Sequence, residues 1–88
     1  MENNTTTLLR FKKTYGEKLI GLRLYASLCQ LNTDEWRATQ NKIAKVTSDL
    51  QDVCYRLADN DVEIALHYYR SYINYLDQKT AYIIDEMD

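Results

Sequence analysis

The chain contains no proline, two glycines, two cysteines, one histidine and one phenylalanine. All-β domains need Gly and Pro at their many tight turns, so this shortage argues against sandwiches and barrels and for long helices with few connections. Cys29 and Cys54 are too few for a disulfide scaffold and lack the CxxC spacing of zinc or redox sites; both are read as small buried hydrophobes. No apolar run approaches the ~20 residues of a membrane span. The opening Met1-Glu2-Asn3-Asn4-Thr5-Thr6-Thr7 lacks the charged-then-apolar order of a signal peptide, so a cytoplasmic location without membrane association is expected. The sequence holds no GxGxxG, Walker loop, HExxH or GxSxG, which leaves cofactor and nucleophile chemistry without its usual scaffolds.

What is present fits one globular domain spanning residues 1–88. The chain is too short for a dinucleotide-binding unit plus a substrate domain, or for a TIM barrel. An apolar fraction of 45% and a charged fraction of 27% are those of a folded protein and not of a disordered one. The net charge of −2 removes the simple electrostatic case for nucleic acid, which needs a basic surface. That average conceals a gradient: residues 1–23 carry +3 and residues 58–88 carry −5, while the middle cancels.

Two polar breaks, Leu31-Asn32-Thr33-Asp34-Glu35 and Ala58-Asp59-Asn60-Asp61, divide the chain into three helices, expected at about 6–31, 33–57 and 60–87. Asn32 with Glu35, and Asn60 with Glu63, have capping-box spacing; Leu31 and Trp36 stand where a hydrophobic staple would clamp the entry. In the second helix Trp36, Ile43, Leu50 and Leu57 recur every seven residues, with Thr39, Val46 and Val53 between them. This is a coiled-coil-like seam. In the third, Val62, Tyr69, Leu76 and Ile83 form one core row and Leu66, Ile73, Thr80 and Met87 the other. The first helix has an ambiguous start, because Thr14-Tyr15-Gly16-Glu17 is itself a capping pattern and Gly costs about 1 kcal/mol inside a helix. A start at Tyr15 would leave residues 1–13 as a basic arm. Leu8, Phe11, Tyr15, Leu19, Leu22, Ala26 and Cys29 nevertheless keep helical spacing through Gly16, so one helix with a weak point is favoured and residues 1–7 are left as a flexible arm. Connections this short make consecutive helices antiparallel, giving an all-α, up-down-up bundle that dimerisation could complete. In that topology Cys54 lies roughly 27 Å along the axis from the helix end near Cys29, which forbids an intramolecular disulfide.

The sequence carries more apolar surface than one stripe per helix. Ile64, Tyr68, Tyr75 and Tyr82 form a row on the third helix about 100° to 140° from its core, with Tyr72 between, and Ile20, Leu24, Leu28 and Leu31 line a second side of the first. Rim tyrosines of a compact monomer would account for part of this. The preferred reading is an interface, where Tyr is enriched, to another protein and first of all to a second copy. Arg10, Lys12 and Lys13 at one sequence end and Asp85 and Glu86 at the other are candidate electrostatic contacts of antiparallel rods.

His67 with Glu63 one turn earlier could offer two metal ligands or a weak acid–base couple, but nothing else clusters with them and a solvated histidine is the expectation. Hence no enzyme, catalytic residue, cofactor or metal is expected. The stretch from Tyr72-Ile73 through Leu76 to Ala81-Tyr82-Ile83-Ile84-Asp85-Glu86-Met87 resembles the first part of the helix-turn-helix segment of small phage late-gene transcription regulators. It covers about sixteen residues, carries no glycine turn and is followed by no recognition helix. The resemblance implies a nucleic-acid-associated regulator, using the basic N-terminal segment, as the alternative. The principal expectation is a non-enzymatic homodimeric binding module of inhibitor, immunity or adaptor type, suited to a phage or mobile element, that acts by occlusion or scaffolding through Ile64, Tyr68, Tyr72, Tyr75 and Tyr82.

Overall fold

A computed structural model describes residues 4–87 and shows an all-α bundle of three helices: α1 (Asn4–Leu28), α2 (Asp34–Leu57) and α3 (Val62–Met87). The bundle measures 43 × 28 × 27 Å, close to the ~36 Å length of a 24-residue helix at 1.5 Å per residue. α2 is the central element, packing extensively on α1 and less on α3, while α1 and α3 touch each other least. No described helix is long and apolar enough to cross a membrane.

Both turns place a left-handed Asn just before the cap, which shifts each expected cap by one residue. Asn32 (φ 65°) and Asn60 (φ 66°), the latter preceded by a second left-handed residue, Asp59 (φ 52°), sit in a region that Asn and Asp tolerate better than most side chains. The caps are the residues that follow. Thr33 Oγ1 accepts from the Trp36 amide at 3.2 Å, and Asp61 Oδ1 accepts from the Ile64 amide at 3.2 Å. Each is a cap-to-third-residue bond worth about 1 kcal/mol. With the cap at Thr33 the expected staple fails, and Leu31 is exposed.

The core centres on Leu19, Ile20, Val46, Leu50 and Leu76, with Tyr15, Leu22, Ile43, Tyr69, Tyr72 and Ile73 packed around it. Every member of the α2 heptad seam is buried or half-buried. Two threonines occupy core-row positions because their hydroxyls bond back along their own helix: Thr39 Oγ1 donates to the Glu35 carbonyl at 2.8 Å and Thr80 Oγ1 to the Leu76 carbonyl at 2.7 Å. That removes the penalty of burying a hydroxyl. The expected α3 rows need correction at both ends, since Val62, Leu66 and Met87 are exposed and Ala65 is buried instead. At this end α3 turns Ala65 inward and carries its larger neighbours to the edge. The second row of α1 also divides: Ile20 is buried and Leu24 half-buried against the core, whereas Leu28 and Leu31 remain exposed.

α1 begins at Asn4 and continues through Gly16, so residues 4–7 are helical and only 1–3 of the expected arm lie outside the described residues. Gly16 is buried beneath the Tyr72 ring; a Cβ there would lie 2.8 Å from Tyr72 Cζ and 3.0 Å from Cε2. The glycine admits the ring to bare backbone. Gly21, by contrast, faces open space. In urea unfolding, Gly21→Ala should therefore gain about 0.5–1 kcal/mol from helix propensity alone. Gly16→Ala should lose about 1–3 kcal/mol by displacing the ring. Equal gains in the two variants would show that the ring does not depend on the missing side chain.

Candidate functional site

The up-down-up topology sets α3 parallel to α1, and a shallow groove runs between them. Its N-terminal half is a recess of about 310 Å³ lined by Lys12, His67, Tyr68, Ser71, Tyr72 and Tyr75. Tyr72 closes its floor: the phenol donates to the Lys12 carbonyl at 3.3 Å, and the Lys12 ammonium stands 4.4 Å from the ring centroid, a cation–π geometry. Burial, with the charges of Tyr75 and Glu17 adding to it, pushes the Tyr72 phenol above its ordinary value. Tyr72 therefore joins α1 to α3 and is half-buried where the other members of the row are exposed.

The remaining row residues lie on the open side of α3, where the i, i+4, i+7 spacing repeats one face. Ile64 is 44% exposed, Tyr68 42%, Tyr75 52% and Tyr82 66%. Tyr75 stacks on Tyr72 with centroids 5.9 Å apart and planes at 15°. The Lys79 ammonium stands 5.7 Å from the Tyr75 centroid and donates to its hydroxyl at 3.5 Å. The His67 and Tyr68 rings are 6.5 Å apart. The face is thus a tyrosine ladder with lysines at its edge. Each ring presents a large apolar body with a polar tip to solvent.

Of the five charged candidates, Lys12 is half-buried over Tyr72, while Arg10, Lys13, Asp85 and Glu86 lie at the surface. The charge gradient along the sequence does not become an end-to-end separation. The antiparallel turn returns Asp49, Asp52, Asp59, Asp61 and Glu63 to the half of the bundle that holds Arg10, Lys12, Lys13, Arg56 and Arg70. Where α1 starts, a separate recess between α1 and the end of α2 is accordingly lined by Leu8 and Phe11 with Arg56, Asp59 and Asn60. Between α1 and α3, Arg23 pairs with Asp77.

Sequence reasoning missed a second apolar groove, between α2 and α3. It is about 390 Å³ and lined by Gln51, Asp52, Tyr55, Val62, Ala65, Leu66 and Tyr69. Tyr55, which stands outside the α2 seam, was the available signal. Glu63 and His67 are exposed, and no group of three metal-ligating side chains occurs among the described residues. The stretch resembling a helix-turn-helix is the uninterrupted second half of α3. No protein-family model matches the chain, and comparisons with curated proteins and with solved structures return no match.

Both cysteines are free, Cys54 buried and Cys29 half-buried. Burial raises the Cys54 thiol above its ordinary value, which lowers its thiolate fraction at any given pH. A thiol reagent at pH 8 should label Cys29 promptly and Cys54 only as the chain unfolds; equal rates would place Cys54 at the surface. The split between floor and ladder is also measurable. Tyr72→Ala should cost about 2–3 kcal/mol of unfolding free energy as a packing truncation, whereas Tyr82→Ala should stay within about 0.5 kcal/mol of the parent.

Proposed function

We propose that this chain is a non-enzymatic protein-interaction module that binds a protein partner on the α3 tyrosine row and works by occlusion or scaffolding, in the manner of an inhibitor, immunity protein or adaptor. The observation that carries the reading is the solvent exposure of four large apolar side chains, Ile64, Tyr68, Tyr75 and Tyr82, aligned on one helix face. Contiguous exposed apolar surface on a small soluble chain marks a contact region more often than a bare one. Charge favours a protein partner over nucleic acid, because Arg10, Lys12 and Lys13 share their end of the bundle with Asp59, Asp61 and Glu63, and phosphate binding needs uncompensated cations.

The test is the doubly substituted Tyr68→Asp/Tyr75→Asp protein. Its unfolding free energy should fall by no more than about 1 kcal/mol, as for exposed positions, and proteins captured by the parent from the native host should be lost. A large loss of stability would make the row part of the monomer's packing, and unchanged capture would place docking elsewhere; either result removes the reading.

A further inference from the structure

We propose that the α1–α3 face takes a second copy of this chain, packed antiparallel about a two-fold axis through Tyr75. The inference rests on the docking role of the tyrosine row and names its occupant.

The three exposed tyrosines of the row have the symmetry such an axis requires, while Ile64, eleven residues before Tyr75, falls opposite Glu86 of the second copy. Tyr68 and Tyr82 stand seven residues to either side of Tyr75, and Tyr75 lies at the middle of Val62–Met87. Rotation about Tyr75 therefore overlaps the whole of α3 with its counterpart, laying Tyr68 of one copy on Tyr82 of the other and Tyr75 on itself. A two-fold interface is built from the same patch on both molecules, so this self-matching spacing is what it needs. It also covers the side where α1 and α3 pack most thinly.

Under the same rotation the ends of this face meet with opposite signs, while the Lys12 ammonium over Tyr72 comes to the level of Lys79 of the second copy. Tyr72 is brought opposite Gln78 and Lys79 of the second copy. Glu17 follows Gly16, on whose backbone the Tyr72 ring lies, so the rotation sets Glu17 and Lys79 of opposite molecules at one level along the helices, twice across the axis. The Arg10–Lys13 end of α1 approaches the Asp85–Glu86 end of the second copy's α3, and Glu86 shares the row's face because it follows Tyr82 by four residues. The two halves of the bundle balance as wholes; on this face it is the basic start of α1 and the acidic end of α3 that meet across the axis. The α2–α3 groove has no comparable repeat about a central residue.

Sedimentation equilibrium and site-directed cross-linking test the inference, with Cys29→Ser as the background. The parent should sediment as a dimer. Tyr75→Cys should form a disulfide with itself, because facing positions at an axis come within the ~7 Å Cα separation that a bridge allows. Tyr68→Cys and Tyr82→Cys should each fail to self-link, since like positions would lie ~21 Å apart along the helices, yet should link at least tenfold faster when mixed. Self-linking at residue 68 that outpaces the mixture would overturn the antiparallel axis while leaving the docking row intact. A parent that is monomeric at the highest attainable concentration would overturn the second copy, and the docking reading would survive if capture of other proteins still depended on Tyr68 and Tyr75. A dimer unaffected by Tyr68→Asp/Tyr75→Asp would refute this interface, with the capture comparison still deciding the row's role for other partners.

Discussion

An aromatic ring lying on bare helix backbone holds together the sparse side of this bundle. α2 supplies a continuous seam that binds α1 firmly and α3 adequately, but α1 and α3 have little to share. At Gly16 the absence of a side chain lets Tyr72 reach across, donate to the Lys12 carbonyl and take the Lys12 ammonium over its face. One glycine thus replaces what would otherwise be a gap or a clash. Close packing makes such a contact nearly all-or-none, because a ring cannot shift by a methyl group without losing its neighbours. The same ring orients the surface, since Tyr75 stacks on it and the exposed ladder continues from there.

The turns show how a short polar segment can reverse a helix without proline and without glycine at the bend. Asn32 and Asn60 take left-handed backbone, and the next residue, Thr33 or Asp61, uses its side-chain oxygen to satisfy an amide of the new helix. The cost of the left-handed residue is modest for Asn, whose short polar side chain suits the conformation. The recovered amide bond offsets it. The α2–α3 turn needs a second left-handed residue, Asp59 (φ 52°), where the α1–α2 turn uses Asn32 alone.

Folding redistributes the charge of the chain and leaves the aromatic row standing. Acidic residues around the α2–α3 turn fold back beside the basic start of α1, so neither end of the rod dominates electrostatically. Association driven by long-range attraction is correspondingly disfavoured, and the proposed recognition rests on short-range burial of tyrosine with a few edge charges setting orientation.

Helix number, the α2 seam, the antiparallel order and the outward row of Ile64, Tyr68, Tyr75 and Tyr82 were legible in the sequence, because each follows from a period of 3.5 or 3.6 residues within one segment. The capping residues were missed by one position, since Asn can serve either as a cap or as the left-handed residue before it and only the backbone path distinguishes these uses. Tertiary packing alone decided that Tyr72 is half-buried against the core while its row neighbours are exposed, that Ala65 displaces Val62 and Leu66 from the core, and that Ile20 and Leu24 are absorbed. The reason is common to all three. Periodicity states which side chains share a face, but which part of a wide apolar face is covered depends on how closely two helices approach, and that distance is set by a small residue on one helix meeting a large one on another.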